Sequence, residues 1–512
     1  MRRAFFAAAL LCFAAPAVAD APPVLSTPTT QAQVDAIIAG APKGTRFGLL
    51  VVDDAGNVIA SVNPDQRFIP ASNTKMFTTA AAYALMPDMD KPDMAGGTQV
   101  ALVSDTDLRR NANDQDFIVP GIGPNDPLPK EPVDVYLSGR GDARMSGAAD
   151  CQTDCLASLA DAVAARTKVV RNVIGDDSLW PDLRWSPGMS WNNIGTGDGT
   201  AAGALNLDDN QVLITIKPGA QNEPPTIIAP SYFKIRNNAL TVMPGESPNF
   251  RIERPVNGFE LRVTGFIPSD SPPWNERIGV DDPAHFAAWT LRTMLEARGV
   301  KVTGKVLSIH RGSQTYQRQY PLDEDKPVEV GLVPLAQLVP PPLADDVVII
   351  NKVSQNLHAQ VMFRRLVPAP TSADKDLSVQ AEQALFAKAG IAREGYDFSD
   401  GSGMSTYNRV SPRAGVALLR WIDTQSWGKT WYASLPIAGV DGTLKRRFIG
   451  TPLANNLIAK TGTLNATNAL SGTFRAASGK RLTFAFFAND VPDGQSAVPS
   501  MEAVLLAVAA AN

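Results

Sequence analysis

The sequence predicts an α/β (α+β) domain assembled from both ends of the chain, with a β-rich insertion between its two halves. Three observations carry this. A hairpin pattern and a helical pattern follow one another near the N-terminus, and alternating strand patterns followed by a closing apolar helix end the chain. From about residue 98 to 275 the pattern changes to short strand-like runs separated by Gly, Pro and Asp. No sustained internal repeat is present.

In chain order, Met1-Arg2-Arg3, an apolar stretch from Ala4 to Ala15 and Ala17-Val18-Ala19 before Asp20 form a charged start, a greasy middle and a small-x-small cleavage site. This reads as a secretory signal peptide; a membrane span needs about 20 apolar residues, and Pro16 interrupts the run. Gln31 to Ala39 reads as a short amphipathic helix. Phe47 to Val52 and Val58 to Val62 flank a turn at Asp53-Asp54-Ala55-Gly56-Asn57, and so predict a hairpin. Ser72 then stands at the entrance of a helix marked by Met76, Phe77, Ala80, Ala81, Tyr83, Ala84 and Leu85. In the middle part, Val133–Leu137, Val212–Ile216 and Phe259–Val263 predict strands. An amphipathic helix begins near Asp282-Pro283 and runs through Phe286, Leu291 and Leu295 to Gly299, which suits a C-terminal cap. Helical character recurs from Ser354 to Leu366 and from Ala381 to Lys388. Leu457–Thr463, Ala469–Phe474 and Leu482–Phe487 predict strands, and Ser500 to Ala510 a helix. That helix is short and alanine-rich, which favours packing on the sheet over contact with a membrane.

Composition narrows the function classes. The formal net charge is −4 without long single-sign runs, which argues against nucleic acid as a partner. The three Cys are Cys12, Cys151 and Cys155. The last two most simply form a local disulfide in an oxidising compartment, the alternative being two half-buried thiols. Two Cys without nearby His fall short of a tetrahedral metal set. Only His285, His310 and His358 are present, none in a Gly-x-Ser-x-Gly setting and with no His-Glu-x-x-His, so neither imidazole triad chemistry nor a zinc hydrolase is indicated.

Three short motifs remain: Ser72-Asn73-Thr74-Lys75, Ser354-Gln355-Asn356 and Lys460-Thr461-Gly462. Ser-x-x-Lys occurs four times and Ser-x-Asn four times, so local setting and order along the chain must select among them; Lys-Thr-Gly occurs once. Residues three apart on a helix share a face, so Ser72 and Lys75 meet. A serine hydroxyl becomes a competent nucleophile when a neighbour takes its proton, and lysine does so only if burial or a nearby cation lowers its pKa. Lys460 is the expected source of that cation. In Lys460-Thr461-Gly462-Thr463 the amine and hydroxyls suit a carboxylate, and Gly462 lets an extended substrate backbone lie against the strand edge.

With Pro70–Lys75, Gly139-Arg140-Gly141-Asp142, Asp400-Gly401-Ser402-Gly403-Met404-Ser405, Gly439–Leu444 and Lys460–Thr463 in this order, the chain resembles the penicillin-binding proteins that act as D-alanyl-D-alanine carboxypeptidases and endopeptidases, the low-molecular-mass class C group. The 282 residues from Ser72 to Ser354 also resemble that group, in which an interrupted second domain separates the first two motifs.

The resemblance implies a serine β-lactamase/penicillin-binding-protein-like transpeptidase fold, an antiparallel sheet flanked by helices. Its expected layout is a signal peptide at 1–19, a catalytic domain at 20–97 and 277–512, an inserted β-rich domain at 98–178 and 245–276, and a second insertion at 179–244 nested in the first. It implies Ser72 as acylated nucleophile, Lys75 as its base, and Ser354 with Asn356 as proton relay and substrate-amide contact. Lys460, Thr461 and Thr463 would bind the terminal carboxylate, and the N–H groups of Ser72 and Thr463 would form the oxyanion hole. The implied partners are peptidoglycan stem peptides in the periplasm, with β-lactams as inhibitors and no cofactor.

Asp142 is a candidate partner for a substrate side-chain amine, or a loop aspartate that satisfies its own backbone. Ser402 is a candidate substrate contact, or part of a tight turn shaping the wall. The group commonly carries a basic residue after the Asp-Gly-Ser-Gly-x-Ser run, thought to hold the diaminopimelate side chain; Thr406 stands here, with Arg409 three residues on. The readings that compete are a β-lactam hydrolase or esterase on the same fold, and a wall-binding protein without catalysis.

Overall fold

The structure is a computed structural model that describes residues 29–104, 121–311, 333–367 and 375–512; the expected signal peptide at 1–19 lies outside the described residues. Helix α1 (Thr30–Ala39), the hairpin β1 (Arg46–Asp53) and β2 (Val58–Val62), and helix α2 (Thr74–Leu85) open the chain. There follow β3 (Gln99–Val103), β4 (Val133–Ser138), α3 (Leu156–Arg166), β5 (Val169–Pro181), β6 (Gln211–Lys217), β7 (Thr226–Ile228), β8 (Lys234–Val242), β9 (Asn249–Glu253), β10 (Glu260–Pro268) and β11 (Trp274–Gly279). Next come α4 (Pro283–Ala297), β12 (Lys301–Val302), β13 (Val306–Arg311), β14 (Ala336–Gln337), α5 (Leu343–Lys352), α6 (Asn356–Arg364) and α7 (Lys375–Lys388). The chain closes with β15 (Tyr396–Asp397), β16 (Arg409–Val410), α8 (Pro412–Asp423), α9 (Gly428–Ala433), β17 (Ile458–Leu464), β18 (Thr467–Arg475), β19 (Arg481–Asn489) and α10 (Val498–Ala511).

The two chain ends build one antiparallel sheet of order β17-β18-β19-β1-β2. Side chains alternate across a strand, so a strand covered on both sides is apolar at every position. Strand β1 sends Leu50 and Val52 to one face and Leu49 and Val51 to the other; β19 sends Ala485 and Phe487 one way and Phe484 and Phe486 the other. On the first face lie α2, α5, α6 and α8, through residues such as Phe77, Val347, Phe363 and Leu418. On the second lie α1 and α10, through Val34, Val504, Leu505 and Val508. The result is a helix–sheet–helix sandwich, as the sequence predicts, with the closing helix on the sheet.

The inserted segment has its own core. Strands β12-β5-β4-β3-β14 form a mixed sheet, with β13 also pairing β5, and α3 and α4 bury Leu159, Val163, Phe286, Leu291 and Leu295 among its residues. Two three-stranded sheets, β8-β10-β9 and β11-β6-β7, extend it.

Three inner boundaries are expected, and the first, at 178/179, falls inside β5. Residues 283–311, beyond the one at 276/277, pack and pair within the inserted sheet, and Leu343 is the next residue buried in the sandwich core. The periodicity of α4 shows that its apolar face needs a partner but not which sheet supplies it. The break expected between 244 and 245 falls between β8 and β9, two strands of one sheet joined through β10. That pairing joins β8 to β10 in parallel, and parallel neighbours are distant in sequence by necessity.

Local details follow the expected chemistry. Asp282 caps α4 by accepting from the His285 N–H at 2.9 Å, Pro283 opens its first turn, and Gly299 adopts φ 76° just past its end. Cys151 and Cys155 are disulfide-bonded. Trp180 is buried in the inserted segment, whereas Trp191 is 82% exposed on the turn Trp191–Asn193. Among the described residues no helix is long and apolar enough to cross a membrane, and no group of three or more His, Cys, Asp or Glu is placed to hold a metal.

Truncating Phe486, fully buried with its ring 6.1 Å from that of Phe47, should destabilise the sandwich by about 3–5 kcal/mol. A lowered urea midpoint for Phe486→Ala in circular dichroism is the expected result; an unchanged midpoint would mean that this layer does not unfold cooperatively.

Candidate active site

Helix α2 begins with a 3-10 turn, Ala71–Asn73, in which Ala71 is held at φ 47°. A side chain rarely adopts that conformation, which costs about 1–3 kcal/mol. The loop 400–405 presses on this turn: a Cβ at Gly403 would lie 2.0 Å from the Ala71 carbonyl oxygen and 2.9 Å from the Ser72 nitrogen. Glycine is required there because one backbone touches another.

Behind the turn, α2 is buried from Thr74 to Ala82, so Lys75 enters the interior rather than solvent. Its Nζ lies 2.8 Å from Ser72 Oγ and 2.6 Å from Asn356 Oδ1, and also meets the Ser402 carbonyl. Burial lowers the Lys75 pKa to about 7, against the opposing pull of Asp400 and Asp198. In the neutral amine, two N–H groups serve the Asn356 and Ser402 oxygens and the lone pair faces the Ser72 hydroxyl.

The second motif sits at the junction of α5 and α6. Ser354 has φ 66°, and its hydroxyl accepts from Lys460 Nζ at 2.8 Å. Gln355 Oε1 accepts from the Leu357 N–H at 2.9 Å and so caps α6; any residue with an acceptor at that reach serves there. Asn356 bridges two parts of the molecule, accepting from Lys75 while its Nδ2 donates to the Asp198 carbonyl of the inserted segment at 2.9 Å.

The third motif lies on β17, the edge of the sheet. The first half of that edge is covered by residues 436–438, whereas Thr461 is half-buried and Thr463 exposed. Lys460 is fully buried, and its carbonyl accepts from Asn73 Nδ2 at 3.0 Å, which ties the strand to the turn carrying Ser72. A Cβ at Gly462 would lie 2.8 Å from the Pro70 oxygen and 3.1 Å from the Ser72 nitrogen. Thr461 shares a hydroxyl contact of 2.7 Å with Thr443, within the Gly439–Leu444 run. Burial, and then the proximity of Lys75, hold the Lys460 amine well below the usual lysine range. Burial is the main cause of the lowering at both amines, and a charge on either disfavours a charge on the other.

The structure brings Ser72, Lys75, Ser354, Asn356, Lys460, Thr461, Gly462 and Thr463 together. Two other expected contacts differ. The Ser402 hydroxyl donates to Asp400 Oδ2 at 3.0 Å and accepts from the Met404 N–H, so it is spent within its own turn; the Ser402 carbonyl reaches Lys75. Asp142 is buried, accepts the Arg144 N–H at 2.7 Å and faces Asp154, which with burial pushes its carboxyl well up. That self-contained arrangement fits the backbone-satisfying reading. Arg409 turns onto the carbonyls of Thr406 and Asn408, and the Thr406 hydroxyl onto Gly188. Sequence reading missed Asp198, which stands in no motif and whose carbonyl receives Asn356 while its charge acts on Lys75, and Asn73, hidden inside a motif read for its neighbours.

Over 477 residues, 90% of this chain and 80% of the relative, the sequence is 29% identical to a D-alanyl-D-alanine carboxypeptidase of Actinomadura sp. (strain R39). It is 24% identical to the D-alanyl-D-alanine carboxypeptidase DacB of Haemophilus influenzae, over 88% of this chain and 87% of that one. The crystal structure of penicillin binding protein 4 (dacB) from Haemophilus influenzae shares the fold, with a TM-score of 0.73, 23% identity, and coverage of 92% of this chain and 97% of that one. A second structure of that protein, complexed with a β-lactam, matches with a TM-score of 0.65 and 22% identity, over 92% and 97% of the two chains. The model of the D-Ala-D-Ala carboxypeptidase 3 (S13) family matches residues 30–510, nearly the whole described chain, and the protein belongs to that family.

Proposed function

We propose that the protein is a serine DD-peptidase acting on peptidoglycan stem peptides through an acyl-enzyme at Ser72. The observation that carries this reading is the 2.8 Å contact between Ser72 Oγ and a buried Lys75 amine whose pKa is lowered to about 7. A base near the working pH combines a large neutral fraction with useful basicity.

Neutral Lys75 takes the Ser72 proton as Oγ attacks the carbonyl between two D-alanines. The N–H groups of Ser72 and Thr463 receive the oxyanion, a device worth about 2.7–4 kcal/mol per donor. Ser354, hydrogen-bonded to Lys460, relays a proton to the departing D-alanine amine as the C–N bond breaks. Water then attacks the ester, restores the Ser72 hydroxyl and releases the shortened peptide. Lys460, Thr461 and Thr463 hold the terminal carboxylate, whose charge draws the Lys460 amine back to its protonated form. When the leaving amine belongs to a diaminopimelate side chain, the same steps open a crosslink. A β-lactam offers the same carbonyl and leaves the serine acylated. The Cys151–Cys155 disulfide suits an oxidising compartment such as the periplasm.

Purified protein should release D-alanine from a muropeptide pentapeptide and carry labelled penicillin as a stable adduct, and Ser72→Ala should lose both. D-Alanine release by that variant would remove Ser72 as the nucleophile; rapid turnover of the label would favour a β-lactam hydrolase, and no attachment by the native protein a wall-binding role.

The acylation rate should rise about tenfold per pH unit up to about pH 7 as Lys75 loses its proton, and then level off. Lys75→Arg keeps its proton throughout that range and should lower the rate by about 10²–10⁴-fold, read by stopped-flow with a chromogenic β-lactam. A rate independent of pH between 5 and 8 would remove Lys75 as the base.

A further inference from the structure

Asn356, which holds the Lys75 amine, is the first residue of α6, and His358 follows two positions on. Residues two apart on a helix face different ways, so as Asn356 meets Lys75, His358 enters the seam between α5 and the inserted segment. There the ring is 4% exposed. Its Nδ1 lies 2.9 Å from Asp346 Oδ1 on α5, and its Nε2 lies 2.9 Å from Asp209 Oδ1 in the insertion. Asp209 is the centre of three successive residues, Asp208, Asp209 and Asn210, held at φ between 50° and 58°, and its side chain is 40% exposed.

A neutral imidazole carries one N–H, so one of its nitrogens would turn a lone pair toward a carboxylate oxygen; an imidazolium donates at both. We infer that His358, as an imidazolium clamped between Asp346 and Asp209, is a positioning residue that fixes α6 against the inserted segment and thereby holds Asn356 Oδ1 on the Lys75 amine. Asp209 and the Asp198 carbonyl that receives Asn356 Nδ2 both come from the inserted segment, on either side of one helix turn. The insertion thus governs the geometry of a proton transfer although, among the described residues, none of its side chains is hydrogen-bonded to the Lys75 amine. This inference rests on the serine-peptidase reading of Ser72 and Lys75.

The surrounding charges are consistent with a protonated ring. Arg144 Nη1 stands 3.9 Å from Asp346 Oδ1, Asp142 and Asp154 lie on the Asp346 side with burial raising both carboxyls toward their neutral forms, and Arg277 and Gln355 act on Asp209. Burial opposes the ring's charge, yet the two carboxylates outweigh it and raise its pKa to about 9. A group raised in this way keeps its interaction at neutral pH and loses it as pH climbs through the raised value. The clamp therefore opens near pH 9, about two units above the Lys75 limb, and acylation should follow a bell.

The test measures the second-order rate of labelled-penicillin acylation and D-alanine release from pH 6 to 10.5, with ¹⁵N-histidine NMR of the whole protein. Native protein should show a descending limb near pH 9 and a ring doubly protonated at pH 7, identified by the signal that His358→Gln lacks. His358→Gln should lower the plateau about 10- to 100-fold, as about 1 Å of misplacement does, and lose the descending limb. Asp209→Asn keeps the shape and removes one charge; its descending limb should move down by about one to three units, and it serves alone if His358→Gln does not fold. A native-like plateau and limb in both variants, or a neutral His358 ring at pH 7, overturns the clamp. Native protein that is never acylated at Ser72 refutes the peptidase reading instead, and the NMR titration still decides the state of His358.

Discussion

Two lysine amines share one buried pocket, and most of the cleft follows from the need to accommodate them. Lys75 and Lys460 are both fully buried, and no side-chain carboxylate is hydrogen-bonded to either amine among the described residues. Burial disfavours the charged amine, and a second amine nearby disfavours it further. The pocket answers with neutral acceptors: Asn356 Oδ1, the Ser402 carbonyl and the Ser72 and Ser354 hydroxyls. Carboxylates stay one layer back, as Asp400 does, whose oxygens are taken by the Ser402 hydroxyl, the Gly403 and Ser405 N–H groups and the Asn408 amide. A carboxylate in direct contact would pin Lys75 in its protonated form and remove the lone pair that the serine needs.

Holding neutral acceptors around a buried amine demands a rigid frame. The sandwich supplies it by burying α2 along nearly its whole length between the sheet and its neighbours. Strain is concentrated where backbones must touch: Ala71 and Ser354 both adopt positive φ, and Gly403 and Gly462 leave no room for a Cβ beside the Ser72 turn. Such conformations persist only when their surroundings over-determine them. The Asn73 amide to the Lys460 carbonyl and the Thr78 hydroxyl to the Gly401 carbonyl are two of the bonds that do so.

The inserted segment is part of this frame. Its core is separate from the sandwich, yet it touches the cleft through backbone and charge: the Asp198 carbonyl on Asn356, Asp209 on His358, and Pro187 and Gly188 receiving the Ser405 and Thr406 hydroxyls. Arg364, at the far end of α6, is buried against Trp180 and reaches the Leu183 carbonyl. Helix α6 is thus gripped along its length by a part of the chain that supplies no member of the three motifs.

What could be read from the chain alone is what local pattern carries. Alternation and helical spacing delimited the five sheet strands and helices α1, α2, α6 and α10 within a few residues, since a side chain's direction is set by its own backbone, whereas α5, α8 and α9 were not singled out. The pairing of Ser72 with Lys75 was legible because three residues on a helix cover a fixed distance. The three short motifs in order, with a fold class to match, pointed to Ser72 and Ser354 among several similar runs, beside the single Lys-Thr-Gly at Lys460. The inserted segment's extent was not legible, because the face of α4 and the parallel partner of β8 are chosen by elements far away in sequence. Nor was the cause of the Lys75 shift, since burial is a property of the assembled surroundings and not of a triplet. Asp142 shows the same limit: its sequence neighbours place it in a loop, and only the packed structure turns its carboxyl inward toward Asp154. The sequence therefore determined the chemical groups and their local spacing, whereas tertiary structure decided which of those groups share a dielectric, because desolvation and charge coupling depend on distances in space that local pattern does not encode.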